Sequence, residues 1–521
     1  MTLCWKGFFL GTLEKSDYLS YHRRMGVGMI EGKRQLVQQS PRIHLFQAED
    51  SSYMLDLHSN RLFRLNADEY RVMGRWQAGE ALDALVRNDP ETVESIQTWE
   101  QQGLFCCETP RKIAFAADWA EITEMIQYKR MRTLIELTEK CNLACAYCTF
   151  RGGFVDHPVH AGCTIPKDLL ELALLAAVKS GRDLEELSIG FYGGEPLMEF
   201  ELMRHAVSFM QCAARGKPVR FSITTNGTLI THEIASFLRN NHFTILLSLD
   251  GPQQLHDHYR LMRNGQGSYE RATAGLKTLL SVFPPESYSR IGLNMVIPDW
   301  SWHPVLMALW NQESWLPRNM RTMVSLVEAP AGFKVLPVPE ELRASARLES
   351  WWEGLQKSAT SENRGVSQPA YHINSIDGRM ATLHQRAVFS QPRQAFFPNG
   401  CCIPATRKVY VTVDGVYKIC ERVHGCPDIG TVQQGVNMEK VKAIVDAYCS
   451  EGIEDCRDCF AISTCKICFQ QAFKNGEYSH QRKRVACEQQ RRTLQNDLDL
   501  YVRTLTRYPE KAEEWDQVTI T

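Results

Sequence analysis

The chain has 521 residues, a formal net charge of −1 and 44% hydrophobic residues, which suits a large globular protein of about two to four domains. So balanced a charge offers no basic field for nucleic acid, and the apolar run at Met1–Leu10 is too short for a signal h-region or a membrane span. Eighteen cysteines in such a chain point to metal or redox sites in the cytoplasm rather than to disulfides, with neither nucleic acid nor membrane as a partner.

Residues 1–40 form an extension of unclear role, in which Met25 and Met29 stand as alternative starts. Residues 41–108 read as one small unit. Arg42–Phe46 and Tyr53–Leu57 alternate as strands, His58-Ser59-Asn60 is a turn, and Arg61–Leu65 returns. Asn66 followed by Glu69 is a capping-box start, Leu82–Val86 and Val93–Glu100 are amphipathic helical stretches, and Gly103-Leu104-Phe105 closes the unit. This winged-helix-like order resembles the PqqD-like recognition element of maturases that modify ribosomally made peptides. The resemblance implies that the leader of a precursor peptide adds as an extra strand along Arg61–Leu65, with the neighbouring helix as one wall. A winged helix for nucleic acid would carry a dense basic face, which this segment lacks.

Residues 130–328 carry a series of strands that end in polar or glycine-rich turns. The first, Leu134–Thr138, runs into Cys141, Cys145 and Cys148. Three thiols in so short a run fit a metal cluster, a zinc site or simply buried thiols, but zinc usually takes four ligands in paired units. Leu187–Tyr192 leads into Gly193-Gly194-Glu195-Pro196, where glycines permit close backbone approach and the carboxylate can accept from an ammonium. Val219–Gly227 and Phe243–Gly251 repeat the pattern and place polar residues at strand C-termini, the end where α/β enzymes bind ligands. Taken together, the Cx3CxxC run and the GGEP segment resemble the radical SAM enzymes. That implies an α/β fold, a partial (β/α)6 TIM-like barrel, with a four-iron cluster on Cys141, Cys145 and Cys148 whose open iron chelates S-adenosylmethionine. It also implies Tyr147 beside the adenine, Gly193, Gly194 and Glu195 around the methionyl amino group, and Ser222, Asn226, Ser248, Asp250 and Arg260 as ribose and carboxylate contacts.

A mainly helical bridge is expected over 329–398, including an amphipathic helix from Leu342 to Leu355 with Trp351 and Trp352, and a mobile loop over 358–365. The span 399–490 then gathers Cys402, Cys420, Cys456, Cys459, Cys465, Cys468 and Cys487. Val409–Cys420 reads as a hairpin with Asp414-Gly415 at its turn. A zinc ribbon is the plain reading of the CxxC pairs. The whole arrangement resembles the SPASM extension of radical SAM enzymes, which implies two auxiliary four-iron clusters. Cys456, Cys459, Cys465 and Cys487 would hold the outer one, and Cys402, Cys420 and Cys468 the inner. The last pair, Cys465 and Cys468, is shorter by one residue than the family spacing, and Phe396 stands where another cysteine is expected. The fourth inner ligand is therefore Cys401, Cys426 or none, an open iron being suited to a substrate thiolate. Glu421, beside Cys420, is a candidate general base or else an ion-pair partner of Arg422. Residues 491–521 complete a closing helix and tail.

The resemblance as a whole implies a radical SAM maturase with three four-iron clusters, fed electrons by a flavodoxin or ferredoxin and acting on a ribosomal precursor peptide. The product nearest in pattern is a thioether between a cysteine sulfur and a carbon of another residue. Carbon-carbon or carbon-oxygen crosslinking, and formylglycine formation of the sulfatase-maturing kind, are the alternatives.

Overall fold

The computed structural model describes residues 40–342 and 378–518, less 102–103, 106–107, 115–117, 152–158, 303–304, 307–312, 314, 318–319, 328–332, 341, 391–392 and 398–399. The expected extension before residue 40, the helix carrying Trp351 and Trp352, and the loop over 358–365 lie outside the described residues.

The chain opens with β1 (Ile43–Ala48), β2 (Ser51–Asp56) and β3 (Arg61–Leu65), an antiparallel meander in which both outer strands pair with β2. Asn60 takes a left-handed φ of 60° at the tip of the second turn, and Asp56 accepts from Ser59 N at 2.9 Å. There follow α1 (Ala67–Gln77), α2 (Leu82–Asn88) and α3 (Pro90–Gln101). The capping box expected at Asn66 is present: Asn66 Oδ1 accepts from Glu69 N and Glu69 Oε2 from Asn66 N, each at 2.8 Å. Alternation gives the small sheet two apolar faces. Ile43, Met54 and Leu65 pack with Val72, Trp76 and Trp99 of the helices.

A short β4 (Lys112–Ile113) and α4 (Trp119–Tyr128) lead into the main sheet. Its parallel strands are β5 (Arg132–Thr138), β6 (Leu187–Gly193), β7 (Val219–Thr225), β8 (Thr244–Ser248), β9 (Ile291–Ile297) and β10 (Arg321–Leu326), each hydrogen-bonded to the next. Parallel neighbours need long crossovers. These are supplied by α5 (Lys167–Ser180), α6 (Phe200–Ala213), α7 (His232–Asn240), and α8 (Gln253–Tyr259) with α9 (Tyr269–Val282). Apolar runs such as Leu134–Leu137 and Ile291–Ile297 are buried as strands covered on both faces must be. The run of parallel strands β5 to β10, joined by helices as far as β9, agrees with the α/β class that the sequence suggests.

Beyond α10 (Gly378–His384), β11 (Ala395–Phe396) pairs with β4. The expected cysteine-region hairpin forms as β12 (Lys408–Val411) and β13 (Tyr417–Lys418), with Gly415 at φ 79° in its turn. It does not stand in a separate layer: β12 runs parallel to β5 and extends the main sheet at that edge. Two small hairpins, β14 (Gly430–Thr431) with β15 (Gly435–Val436) and β16 (Phe473–Lys474) with β17 (Glu477–Tyr478), flank α11 (Met438–Cys456). The closing helix α12 (His480–Arg507) begins earlier than the sequence pattern suggests, and α13 (Lys511–Asp516) follows. Phe46, Tyr53, Leu55 and Leu62 on the second face of the N-terminal sheet form one core with Leu494, Leu498, Tyr501 and Trp515. No described helix is long and apolar enough to cross a membrane.

Candidate active site

The first cysteine loop leaves the C-terminal end of β5 and is fastened on two sides. The segment after α8 holds one side, with Ala144 N donating to Leu261 O at 2.7 Å, Ala146 N to Tyr259 O at 2.8 Å and Arg263 Nε to Cys141 O at 2.5 Å. The turn after β6 holds the other, through Gly194 N to Thr138 O and Glu195 N to Lys140 O, both at 2.8 Å. This contact explains both glycines: a Cβ on Gly193 would lie 2.2 Å from Thr138 O, and one on Gly194 2.1 Å from Lys140 O. Gly193 also takes φ 130°, which L side chains rarely adopt. The backbone amides of Gly194 and Glu195 are thus spent on the loop itself.

Glu195, expected at the methionyl amino group, is 1% exposed and turned toward its own chain. Its Oε1 accepts from Leu197 N at 3.0 Å and Thr225 Oγ1 at 2.7 Å, and its Oε2 accepts from Asn226 N at 2.7 Å. Burial raises its pKa against these donors. Asn226 continues the chain of bonds by donating from Nδ2 to Asn142 Oδ1 at 2.8 Å, while Thr228 Oγ1 accepts from Asn142 Nδ2 at 2.8 Å. The ends of β6 and β7 are therefore tied to the cysteine loop through Glu195, Asn226, Asn142 and Thr228.

Tyr147, Asp250 and Arg260 meet on the opposite side. The Tyr147 hydroxyl donates to Asp250 Oδ2 and accepts from Arg260 Nη1 at 2.9 Å, and Arg260 lies 4.0 Å from Asp250 Oδ1. Burial alone would weaken the Arg260 charge, but Tyr147, Cys145 and Asp250 together hold its pKa well above the usual value. Burial raises the Asp250 pKa, opposed by Arg260. His256 sits below: its Nδ1 accepts from Asp250 N at 3.3 Å, and burial, then Arg260, push its pKa down to about 2, so it is a neutral brace. Ser248 is buried at the end of β8 in the same rim. Ser222 is set apart. It lies in mid-strand, about 13 Å along β7 from Asn226 at the usual rise per residue, and accepts from Arg132 Nη2 at 2.6 Å at the other end of the sheet. Its position makes it part of the sheet interior rather than of the rim.

Burial raises the pKa of all three thiols, that of Cys145 to about 12 with Arg260 pulling against it, so the free side chains hold their protons until a metal displaces them. The donor set is thiol only, the chemistry that iron-sulfur clusters take. Among the described residues the buried Arg260 Nε has no hydrogen-bond partner, a donor left over for an incoming acceptor such as a carboxylate. These residues fit a cluster with a bound amino-acid-bearing cofactor. Among the described residues no three His, Cys, Asp or Glu side chains are close enough to hold a single metal ion.

In the C-terminal region Cys456, Cys459, Cys465 and Cys487, the four assigned together from the sequence, line one cavity walled by Ile113, Phe396 and Ile467. Phe396, at the position where a cysteine was expected, is thus part of that wall. Around Cys468, Cys402 and Cys420 exert electrostatic effects on or from it, and so does Cys426. The Cys401 thiol, which also feels Cys468, donates to Ile467 O at 3.4 Å. Glu421 is paired with Lys408 rather than with Arg422, both carboxylate oxygens accepting from Nζ at 2.8 and 2.6 Å. Burial works to raise the Glu421 pKa, yet Lys408, with a smaller effect of Arg422, holds it below the usual carboxylate value. A carboxylate so held is a weaker base than an unpaired one. Asn142, Thr228, His256 and Arg263 are structural members of the site that sequence reading missed; each is an ordinary polar residue until the fold brings it to the loop.

Residues 135–309, which carry most of the parallel strands and the Cx3CxxC loop at the end of the first, match the Radical SAM superfamily. The serine-type anaerobic sulfatase-maturating enzyme of Bacteroides thetaiotaomicron is 32% identical over 143 residues, 27% of this chain and 34% of that protein. The cysteine-type enzyme of Clostridium novyi is 31% identical over 144 residues, 27% of this chain and 38% of that protein. The chain thus spans about a third of the length of the curated relatives it matches, 34% and 38%. The solved structure of anSMEcpe with bound AdoMet superposes with a TM-score of 0.54 at 17% identity over 75% of this chain and 96% of that one, a likeness of fold.

Proposed function

We propose that this protein is a radical SAM maturase that modifies a ribosomally made precursor peptide, joining a cysteine sulfur to a carbon of another residue. The observation that carries the reading is the combination of a half-buried, thiol-only loop at the strand C-termini with a second, three-stranded sheet whose β3 pairs only with β2 among the described residues. When bound, S-adenosylmethionine on a reduced four-iron cluster supplies one-electron hydrogen abstraction. The chain supplies position. Cys141, Cys145 and Cys148 would ligate the cluster, Arg260 Nε and Asn226 would offer polar contacts at the rim, and Tyr147 and Asp250 fix the orientation of Arg260. Docking of a leader on β3 raises the local concentration of the segment to be modified. The outer cysteines would hold one auxiliary cluster, and Cys402, Cys420 and Cys468, with Cys401, Cys426 or no fourth thiol, would hold another; such clusters supply electron-accepting capacity near the site. A flavodoxin or ferredoxin is the proposed reductant.

The test is mass spectrometry of the cognate peptide after anaerobic incubation with reconstituted enzyme, S-adenosylmethionine and reductant, with and without thiol alkylation. Loss of a hydrogen pair together with one alkylation-resistant cysteine is expected. Loss of a hydrogen pair with every thiol still reactive would replace the thioether by a carbon-carbon or carbon-oxygen link. A second reading is formylglycine formation, favoured by the fold likeness to anSMEcpe, which has also been solved with a Cp18Cys peptide. It would be seen as a hydrazide-reactive aldehyde in place of a cysteine or serine. Cys145→Ala should abolish cleavage of S-adenosylmethionine; retained cleavage would overturn the assignment of the loop.

A further inference from the structure

Lys483 is 1% exposed and lies on the same face of α12 as Cys487, one helical turn away. Its Nζ donates to Gly452 O at 3.1 Å and to Cys456 Sγ at 3.2 Å, and it sits over the rings of Tyr448 and Tyr478 at 5.0 and 5.6 Å. Among the described residues no carboxylate comes within ion-pair distance of it. Asp455, which feels its charge, is taken by Arg484 Nε at 2.8 Å, His480 Nδ1 at 3.0 Å and Tyr478 Oη at 3.2 Å. A buried ammonium is costly unless an anion faces it, and a carbonyl and two ring faces are not a counter-charge. What Lys483 does face is the cavity lined by Cys456, Cys459, Cys465 and Cys487.

We propose that Lys483 is the built-in counter-charge of an anionic iron-sulfur cluster held by these four cysteines, and that it sets the reduction potential of that cluster. Reduction adds one negative charge to a cluster whose thiolate ligands already make it anionic. A fixed cation in hydrogen-bond contact with one ligand sulfur, buried where screening is weak, favours the reduced form and raises the potential. The donor hydrogen bond to Cys456 Sγ acts in the same direction, since it stabilises negative charge on sulfur. The inference rests on the outer cysteines being cluster ligands, as in the proposed function. Lys483 is a positioning and tuning residue; it need not touch the peptide.

The experiment uses the full chain in a Cys145→Ala, Cys148→Ala, Cys402→Ala, Cys420→Ala background, which leaves the outer site, reconstituted anaerobically with iron and sulfide. An EPR-monitored redox titration of Lys483→Met is expected to show reduction at least tenfold harder at equal iron content, a fall of about 59 mV for a one-electron couple, and Lys483→Arg to restore it. Loss of iron in Lys483→Met with recovery in Lys483→Arg also supports the counter-charge. An unchanged midpoint in Lys483→Met overturns the role of Lys483 and leaves the cluster assignment standing. Iron loss in both variants with far-UV circular dichroism retained overturns it as well, since charge is then irrelevant. A parent chain that takes up zinc or no iron defeats the cluster assignment, and the inference falls with it.

Discussion

At the scale of single residues, close approach is the feature with the sharpest consequence. A methyl group on Gly194 would meet Lys140 O at 2.1 Å and its carbonyl carbon at 2.6 Å, both backbone atoms. Gly194→Ala should therefore displace the cysteine loop, cost about 1–3 kcal/mol, and lower iron uptake at Cys141, Cys145 and Cys148, read by thermal unfolding and iron analysis. Glu195→Gln should be nearly as damaging, because one carboxylate oxygen becomes an amide donor facing Thr225 and Leu197 or Asn226, at a cost of about 1–3 kcal/mol in unsatisfied bonds. Glu421 has the opposite electrostatics. Its pKa is held below the unfolded value of about 4.3, so the stability it contributes is complete above that pH and is lost as pH falls through the lower folded value. Glu421→Gln is expected to flatten this acid limb in a plot of unfolding midpoint against pH, and an unaltered slope would show that the Lys408 pair contributes nothing. The three loop cysteines, Gly193 and Gly194 were legible in sequence because their spacing carries chemistry. The partners of Glu195, and the pairing of Glu421 with Lys408 across the β12–β13 hairpin, were not, because long-range contact has no local signature.

At the scale of elements, alternation and turn chemistry made β1 to β3, the Asn66 cap and the β12–β13 hairpin readable from sequence. The addition of β12 to β5 was not, since an edge strand is identified by its neighbour and not by its own residues. The same logic gives a test of leader docking on β3. In an antiparallel pair, successive residues alternate between bonding the neighbouring strand and pointing their backbone groups outward. Of Phe63→Pro and Arg64→Pro, one should break the ladder to β2 and lower stability. The other should leave stability nearly intact and weaken binding of the leader peptide tenfold or more in a calorimetric titration, without changing cleavage of S-adenosylmethionine. Equal affinity in both variants would remove β3 as the docking edge.

At the scale of the whole molecule, the N-terminal sheet and the last two helices share one core, which composition and periodicity could not foretell. Leu498 is 0% exposed within it. Leu498→Ala should cost about 2–5 kcal/mol, and its effect should reach the N-terminal unit more than 400 residues away, as about an equal loss of protection from hydrogen exchange in β1 and in α12. Limited proteolysis that released residues 40–108 as a stable fragment would contradict this coupling.

The bond between His44 Nε2 and Gln495 Oε1 at 2.5 Å lies on the seam between those two parts, and beside it His44 stacks on Phe460 of the segment after α11, with ring centroids 3.8 Å apart and planes 4° from parallel. A boundary drawn after residue 108 would cut through that seam. An exchange of the N-terminal unit for that of another protein would have to bring α12 and α13 with it, since one whole face of the small sheet is covered by Leu494, Leu498, Tyr501 and Trp515.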